Sequence, residues 1–449
     1  MSDSPTEKEV RQKIRSGRFR TAIWGFFSDY CNNSTIHGVR YLGEKRRPWT
    51  ERVWWDDTPV IVTFADKSTF VWQIPFPAVT ICPETKVKTE YLNFTKVFKK
   101  IFKDEENLTS TDFVPILTEE GFCFTFNTLN ASEIYNPSAL HPGYEYPIQE
   151  SESKDWNLEE GYTTLDLSTH PQRALGDGVR VGLYILLKAS EKDFDYLCSE
   201  MMQGFKVHLH SPDEIPQIAR QFFRVPLNQG IMVSVKPSML TTSEGLRAYN
   251  PIRRQCYFNH ERQLKFFRNY TQKNCELECL SLFMIKECGC AKFYMPRYTD
   301  TPICGSGKIS CYYRTISDLV LRTMEEGLQN NYTNSDCNCL PACTSIAYDA
   351  EISQTDMDWD KLFEALEIPK DKLEGIRPAI LSIYFKDSQF ITSRRSELYG
   401  LTNFVANCGG LLGLFMGVSL LSIVEIIYFC SIRLINNLKM RRTTKLASN

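Results

Sequence analysis

Short runs of the chain alternate apolar with polar or β-branched residues, and that period of two marks extended strands. Thr58 to Phe64, Lys206 to His210, Ile231 to Val235 and Leu381 to Phe385 read as strands on this pattern. Trp359 to Leu366 and Ser317 to Leu328 carry the wider spacing of helices,. The pattern changes from Phe404 to Ile432, where only Asn407, Ser419, Ser422, Glu425 and Ser431 interrupt an apolar run with five glycine or alanine positions among its first fourteen residues. A bilayer core takes about 20 such residues in a helix, so one membrane-spanning helix is expected here. Arg433, Lys439, Arg441, Arg442 and Lys445 follow it without an acidic residue, which places the C-terminal tail in the cytoplasm,.

Two features of that run go beyond anchoring. Glu425 lies deep in the span, where a lipid-facing carboxylate costs at least ~2.5 kcal/mol, so it is expected to face protein or water. Gly409, Gly410, Gly413 and Gly417 permit close backbone approach, which suits either helix dimerisation or a pore wall. A second anomaly lies upstream. Lys45, Arg46, Arg47 and Arg52 lead into Val53-Trp54-Trp55 as they would into a membrane, yet Asp56 and Asp57 follow at once. Residues 1–30 contain no apolar signal-peptide core to replace such a span.

Composition narrows the class. The chain has 449 residues, 43% hydrophobic and 24% charged, as globular proteins do, and its net charge of -2 gives no electrostatic reason to expect nucleic acid,. Of sixteen cysteines, thirteen lie between Cys82 and Cys343. Zinc sites in a reducing compartment and disulfides in an oxidising one are the two explanations. Sequons at Asn93, Asn107, Asn130, Asn269 and Asn331 fall in the same region, as glycosylation of an exported domain requires, and paired C-x2-C knuckles are absent,. Disulfides are therefore the expected state. His208 and His210 alternate on one strand but lack a third ligand, so hydrogen-bonded structure is expected there rather than a metal. Asp356, Asp358, Asp360 and Glu364 read as a solvated helix face. No G-x-S-x-G elbow, P-loop or H-E-x-x-H occurs, so neither an enzyme nor a cofactor or metal site is expected,.

Five segments together carry a resemblance: Ser34-Thr35-Ile36-His37-Gly38, Phe76 to Cys82, Gly121 to Asn127, the cysteines from Cys256 to Cys343, and Gly417-Val418-Ser419. On these the chain resembles the degenerin/epithelial sodium channel family, most closely its insect pickpocket branch. The resemblance implies a plasma-membrane, amiloride-sensitive, ligand-gated type of sodium channel, assembled as a homo- or heterotrimer in lipid, with two spans per subunit. The implied fold class is α+β: a large disulfide-rich mixed α/β ectodomain with a central β-sheet palm and a helical thumb, then a C-terminal transmembrane helix. The expected division is a cytoplasmic segment 1–55, an extracellular domain 56–395, a pore-lining helix 396–432 and a basic tail 433–449.

The same resemblance implies roles for single residues. His37-Gly38 is similar to the family's gating motif, and Gly417-Val418-Ser419 to its selectivity constriction. Ala406 occupies the small-residue gating position, with Asn407 and Glu425 as further polar groups of the pore. The implied disulfides are nested: Cys256 with Cys343, Cys275 with Cys339, Cys279 with Cys337, Cys288 with Cys311, Cys290 with Cys304, and separately Cys82 with Cys123. Such a ladder is expected to tie two antiparallel helical segments into a stiff lever, leaving Cys198 unpaired. Relatives place their first span where Trp55 here meets Asp56, so the first transmembrane helix is missing and its flanks are fused. The alternative expectations are a truncated, non-conducting regulatory subunit and a single-pass cysteine-rich receptor.

Overall fold

The computed structural model describes residues 60–84, 113–139, 155–164, 166, 169–194, 202–328, 337–365, 367, 375–398, 401–416, 421, 424 and 427–428. Backbone proximity divides the chain into two units, one of residues 62–395 and one of residues 1–61 with 396–449.

The larger unit is built on two sheets. Its strands are β1 (Val60–Phe70), β2 (Ala78–Pro83), β3 (Phe113–Thr118), β4 (Gly121–Phe126), β5 (Trp156–Asn157), β6 (Gly161–Tyr162), β7 (Leu183–Ser190), β8 (Phe205–His210), β9 (Phe223–Val225), β10 (Gln229–Thr242), β11 (Ser345–Asp356), β12 (Ile376–Phe385) and β13 (Gln389–Glu397). A six-stranded sheet runs β1-β13-β10-β12-β7, with β11 antiparallel to β10 along its length. A five-stranded sheet runs β3-β4-β2-β8-β9.

Alternation decides which faces meet. Ile231, Val233 and Val235 of β10 stand opposite Leu381, Ile383 and Phe385 of β12, and all six are buried. From the smaller sheet, Val79, Ile81, Val207 and Leu209 join them in one core. Phe76 locks the two layers, its ring set edge-on to Phe126 at 6.3 Å and Phe385 at 5.6 Å. Each such side chain removed from water contributes about 1.5–3 kcal/mol. The four strands expected from sequence are thus found, as β1, β8, β10 and β12.

Gly204 sets the entry to β8. Its φ is +134°, and a Cβ there would lie 2.4 Å from the carbonyl oxygen of Val225 on the neighbouring strand. Gly204→Ala is therefore expected to cost ~2 kcal/mol or more by backbone strain and strand separation. Thermal unfolding of the purified chain measures it, and an unchanged midpoint would show that the strand shifts freely.

Helices lie outside the sheets. They are α1 (Ala131–Ile134), α2 (Pro251–Arg254), α3 (Gln272–Cys288), α4 (Ile309–Leu328) and α5 (Trp359–Ala365) in the larger unit, and α6 (Leu401–Met416) in the other. The Thr271 hydroxyl accepts from Asn274 N at 3.1 Å to cap the start of α3, and Gly289, left-handed at φ 70°, ends it,. Cys288 at the end of α3 is bonded to Cys311 near the start of α4, while Arg322 lies 5.3 Å over the ring of Phe283. Those two contacts make the helices antiparallel.

Six disulfides are present among the described residues: Cys82–Cys123, Cys256–Cys343, Cys275–Cys339, Cys279–Cys337, Cys288–Cys311 and Cys290–Cys304. They are the pairs implied by resemblance, but they brace the thumb differently from the expectation. Only Cys288–Cys311 joins α3 to α4; Cys275 and Cys279 tie α3 to Cys339 and Cys337, which lie in non-helical chain leading to β11. The ladder therefore stitches a helix to an extended segment as well as to a second helix. Each bridge contributes typically ~2–4 kcal/mol by restricting the unfolded chain.

Of the sequons, Asn130 sits at the N-cap of α1 and is 7% exposed. Asn269 is half-buried and accepts from Asn259 at 3.4 Å. Asn93, Asn107 and Asn331 lie outside the described residues, as does Cys198.

Candidate functional site

The candidate pore segment begins at α6, whose sequence LTNFVANCGGLLGLFM contains no charged residue. Straight-chain and small apolar residues carry the helix, while Gly409 and Gly410 leave open space, since an added Cβ at either meets nothing within 4 Å. Ala406 and Asn407 are adjacent on this helix and both exposed. Cys408 beside them is a free thiol. Gly417, Val418, Ser419 and Glu425 lie outside the described residues, and so do His37 and Gly38.

Exposure on α6 is unusual in kind. Val405, Leu411 and Leu414 are all exposed, Leu414 to 80%. Successive residues turn by about 100°, so these three point to different sides of the helix. Leu421, Val424 and Ile427 beyond it are exposed as well. A helix apolar all round belongs in a protein core or a membrane. Among the described residues no helix is long and apolar enough to cross a membrane; the 16 residues of α6 reach roughly 24 Å at 1.5 Å per residue.

The other residues singled out by sequence separate into two places. Asp358 caps α5, accepting from Lys361 N at 3.3 Å, and pairs with the Lys361 ammonium at 2.8 Å; that hydrogen bond holds its carboxyl below the usual range. Asp356 accepts from Gln229 at 2.7 Å. These are exposed, locally satisfied groups. His208 and His210 are instead buried and stacked, ring centroids 5.3 Å apart. No group of three or more His, Cys, Asp or Glu among the described residues could hold a metal ion.

One buried charge went unanticipated. Arg254, fully enclosed at the end of α2, donates to the carbonyls of Leu246, Arg247, Tyr249 and Cys256 and pairs with Glu261. A polar run such as Arg253-Arg254-Gln255 gives no sign of burial, and only its position just before a disulfide cysteine hints at it.

The sequence profile described as "Amiloride-sensitive sodium channel" matches residues 54–112 and 97–429. The chain belongs to the amiloride-sensitive sodium channel family. Within it the chain is pickpocket-like. It is 28% identical to pickpocket protein 28 of Drosophila melanogaster, over 92% of this chain and 79% of that protein. It is 24% identical to the sodium channel protein Nach of Drosophila melanogaster, over 93% of this chain and 89% of that protein. Similarity extends to acid-sensing ion channel 4-B of Danio rerio, 24% identical over 72% of this chain and 49% of that protein. The alignment to pickpocket protein 28 runs over 496 positions, more than the 449 residues of this chain. That relative therefore carries residues inside the matched range with no counterpart here.

Proposed function

We propose that this chain is a sodium channel subunit that assembles with related subunits at the plasma membrane and lends its C-terminal helix to the pore. The observation that carries this reading is α6 itself: in a family of sodium channels, an uncharged helix that exposes apolar side chains on several sides needs lipid and neighbouring subunits to cover it,. In a trimer, three copies of Gly417-Val418-Ser419 would form a narrow ring. Backbone carbonyls freed at Gly417 and the hydroxyl of Ser419 would replace the hydration shell of a small cation, and Glu425 would supply negative potential on the cytoplasmic side. Ala406 and Asn407 precede the ring by about three turns of helix. His37 and Gly38 would act at the cytoplasmic mouth, and amiloride block and opening by a ligand follow from the same assignment.

A second reading rests on a specific feature, the junction of Trp55 with Asp56. With its first span absent, the chain would act as a non-conducting regulatory subunit that holds intact partners inside the cell. Expression alone and beside an intact two-span relative separates the two. The channel reading predicts amiloride-sensitive sodium current from the chain alone or current of altered selectivity with the relative. The regulatory reading predicts no current alone and loss of most of the relative's current. Cysteines introduced around Val418 that stay inaccessible to aqueous thiol reagents in an assembled complex would remove the pore assignment from either.

A further inference from the structure

The smaller sheet has a second face, and it is polar yet buried. Thr80 of β2 stands opposite both Thr125 of β4 and His208 of β8, and His210 follows two residues on, so alternation puts all four on the face away from the Val79, Ile81, Val207 and Leu209 core. The segment Ser211–Gln221 turns back over this face. Its Ile218 packs on Cys82, Cys123 and Ile116 of the same face. The first turn of α3 clamps it: Asn274 accepts from Ile215 N and donates to the Asp213 carbonyl, each at 3.2 Å, and Lys273 pairs with Glu214 at 2.8 Å.

Hydrogen bonding fixes the protonation of the pair. His210 Nδ1 faces the Ser211 carbonyl at 2.9 Å, an acceptor only, so Nδ1 carries the proton,. Its Nε2 must then accept from the Thr80 hydroxyl at 2.8 Å, which in turn accepts from Thr125 at 2.8 Å. His208 stacks on that ring at 3% exposure, and its Nε2 is buried without a hydrogen-bond partner among the described residues. His208 also hydrogen-bonds the backbone of Gln221 in the covering segment, which favours its charged form, but a proton added at Nε2 finds no acceptor among the described residues.

The charges around the pair give little relief. From α3 comes the positive Lys273, and from the covering segment come Glu214, engaged by Lys273, and Asp213, which accepts from the Ser211 hydroxyl at 2.5 Å. On β8, Lys206 pairs with Glu120 of the β3–β4 turn at 2.9 Å, and on β9, Arg224 pairs with Glu84 at 3.0 Å. Arg220 and Glu276 pair with each other at the rim.

We propose that this face is an acid-operated latch: protonation of His208 and His210 releases the Ser211–Gln221 segment, and with it the first turn of α3, from the sheet. Two like charges on stacked rings beside a lysine cannot share a dry site, and lifting the cover is the movement that admits water to both. Because α3 is bridged to Cys339, Cys337 and Cys311, releasing its first turn bears on a covalently braced unit.

The direction in pH follows by linkage. Burial first, then Lys273, pushes His208 down to about 3, and burial pushes His210 well below its ordinary value. An uncovered histidine titrates near ~6.5, so the released form binds more protons between that value and about 3. The latch is therefore fully closed above ~6.5 and loses up to ~10-fold in its closing constant per pH unit per histidine as pH falls. Asp213 and Glu214, both pushed up by burial, act oppositely, because the closed form then holds their protons. The decisive quantity is therefore the difference made by removing a histidine.

Amide hydrogen exchange of the full-length protein in detergent, corrected for intrinsic pH dependence, tests this. Wild type is expected to lose protection in peptides covering 211–221 and 271–276 as pH falls from 7 to 5, while 376–385 of β12 keeps its protection. H208F, which retains the stack without the titration, should hold protection in those peptides at pH 5 at least ~10-fold above wild type. An H208F profile identical to wild type, or equal loss across β12, overturns the proposal. Should H208F fail to fold, histidine C2-hydrogen exchange on the wild-type chain decides: a titration of His208 below ~5 supports the latch, and one near the ordinary ~6.5 refutes it.

Discussion

Replacing Arg254 by methionine is expected to lower the stability of the 62–395 unit by about 3–5 kcal/mol, the range for breaking a buried, paired charge. The guanidinium is 0% exposed and satisfies four backbone carbonyls, the tightest being Tyr249 at 2.7 Å, while lying 4.5 Å over the ring of Phe258. Methionine fills much of the volume but leaves those carbonyls without donors and Glu261 without its cation, each omission costing about 1–3 kcal/mol. Lysine, with a point charge and no planar fork, is expected to recover only a minor part. The effect should be local at first. Arg254 fixes the path of the chain from the 3-10 turn Glu244–Ala248 through α2 to Cys256, the residue that anchors the ladder to Cys343. Arg247→Met, which removes an exposed ion pair with Glu244, serves as the control and is expected to cost under ~1 kcal/mol,. Chemical denaturation of the disulfide-intact protein reads both; an Arg254→Met cost below ~1 kcal/mol would mean that the turn reorganises around the loss.

Much of the architecture was legible because one face of each strand is simply apolar. Ile231-Val233-Val235 and Leu381-Ile383-Phe385 announce a period of two, and the structure pairs those triplets in register. Thr271 and Gly289, which cap helix α3, carried end signals that the reading of the sequence passed over. Disulfide connectivity was not legible in the spacing itself, since ten cysteines from Cys256 to Cys343 admit many pairings, and only likeness to a family chose one. The buried polar face escaped for a physical reason. In Lys206-Val207-His208-Leu209-His210 the alternation looks like a half-solvated strand, and nothing in those five residues reveals that Ser211–Gln221 will fold back over the polar half. Burial of Arg254 escaped likewise, because its partners are backbone carbonyls, which every sequence contains. The proposed pore residues differ again: Gly417, Val418 and Ser419 were picked out by a three-residue likeness, and the chemistry proposed for them depends on neighbouring subunits that no single chain carries.

On the regulatory reading, inserting an apolar helix of about 20 residues between Trp55 and Asp56 is expected to turn a non-conducting chain into one that reaches the cell surface and passes sodium. The apolar run from Phe404 is the only stretch of the sequence long enough to span, and it follows residues 56–395. A single late span must either translocate that whole domain ahead of itself or leave it in the cytosol, where six disulfides would not form,. The basic and tryptophan-bearing flank up to Trp55 and the strand β1 from Val60 both point to an interruption at this junction. Two measurements separate export from conduction. A glycosidase-sensitive mass shift that requires Asn269 should appear only in the span-containing chain, and amiloride-sensitive current should appear with it. A shift already present in the original chain would show that the domain crosses the membrane without a first span. A shift without current in the repaired chain would confine the missing function to assembly or to the Gly417-Val418-Ser419 ring, where substitution of Ser419 by alanine in a conducting complex then tests whether its hydroxyl contributes to the selectivity for sodium.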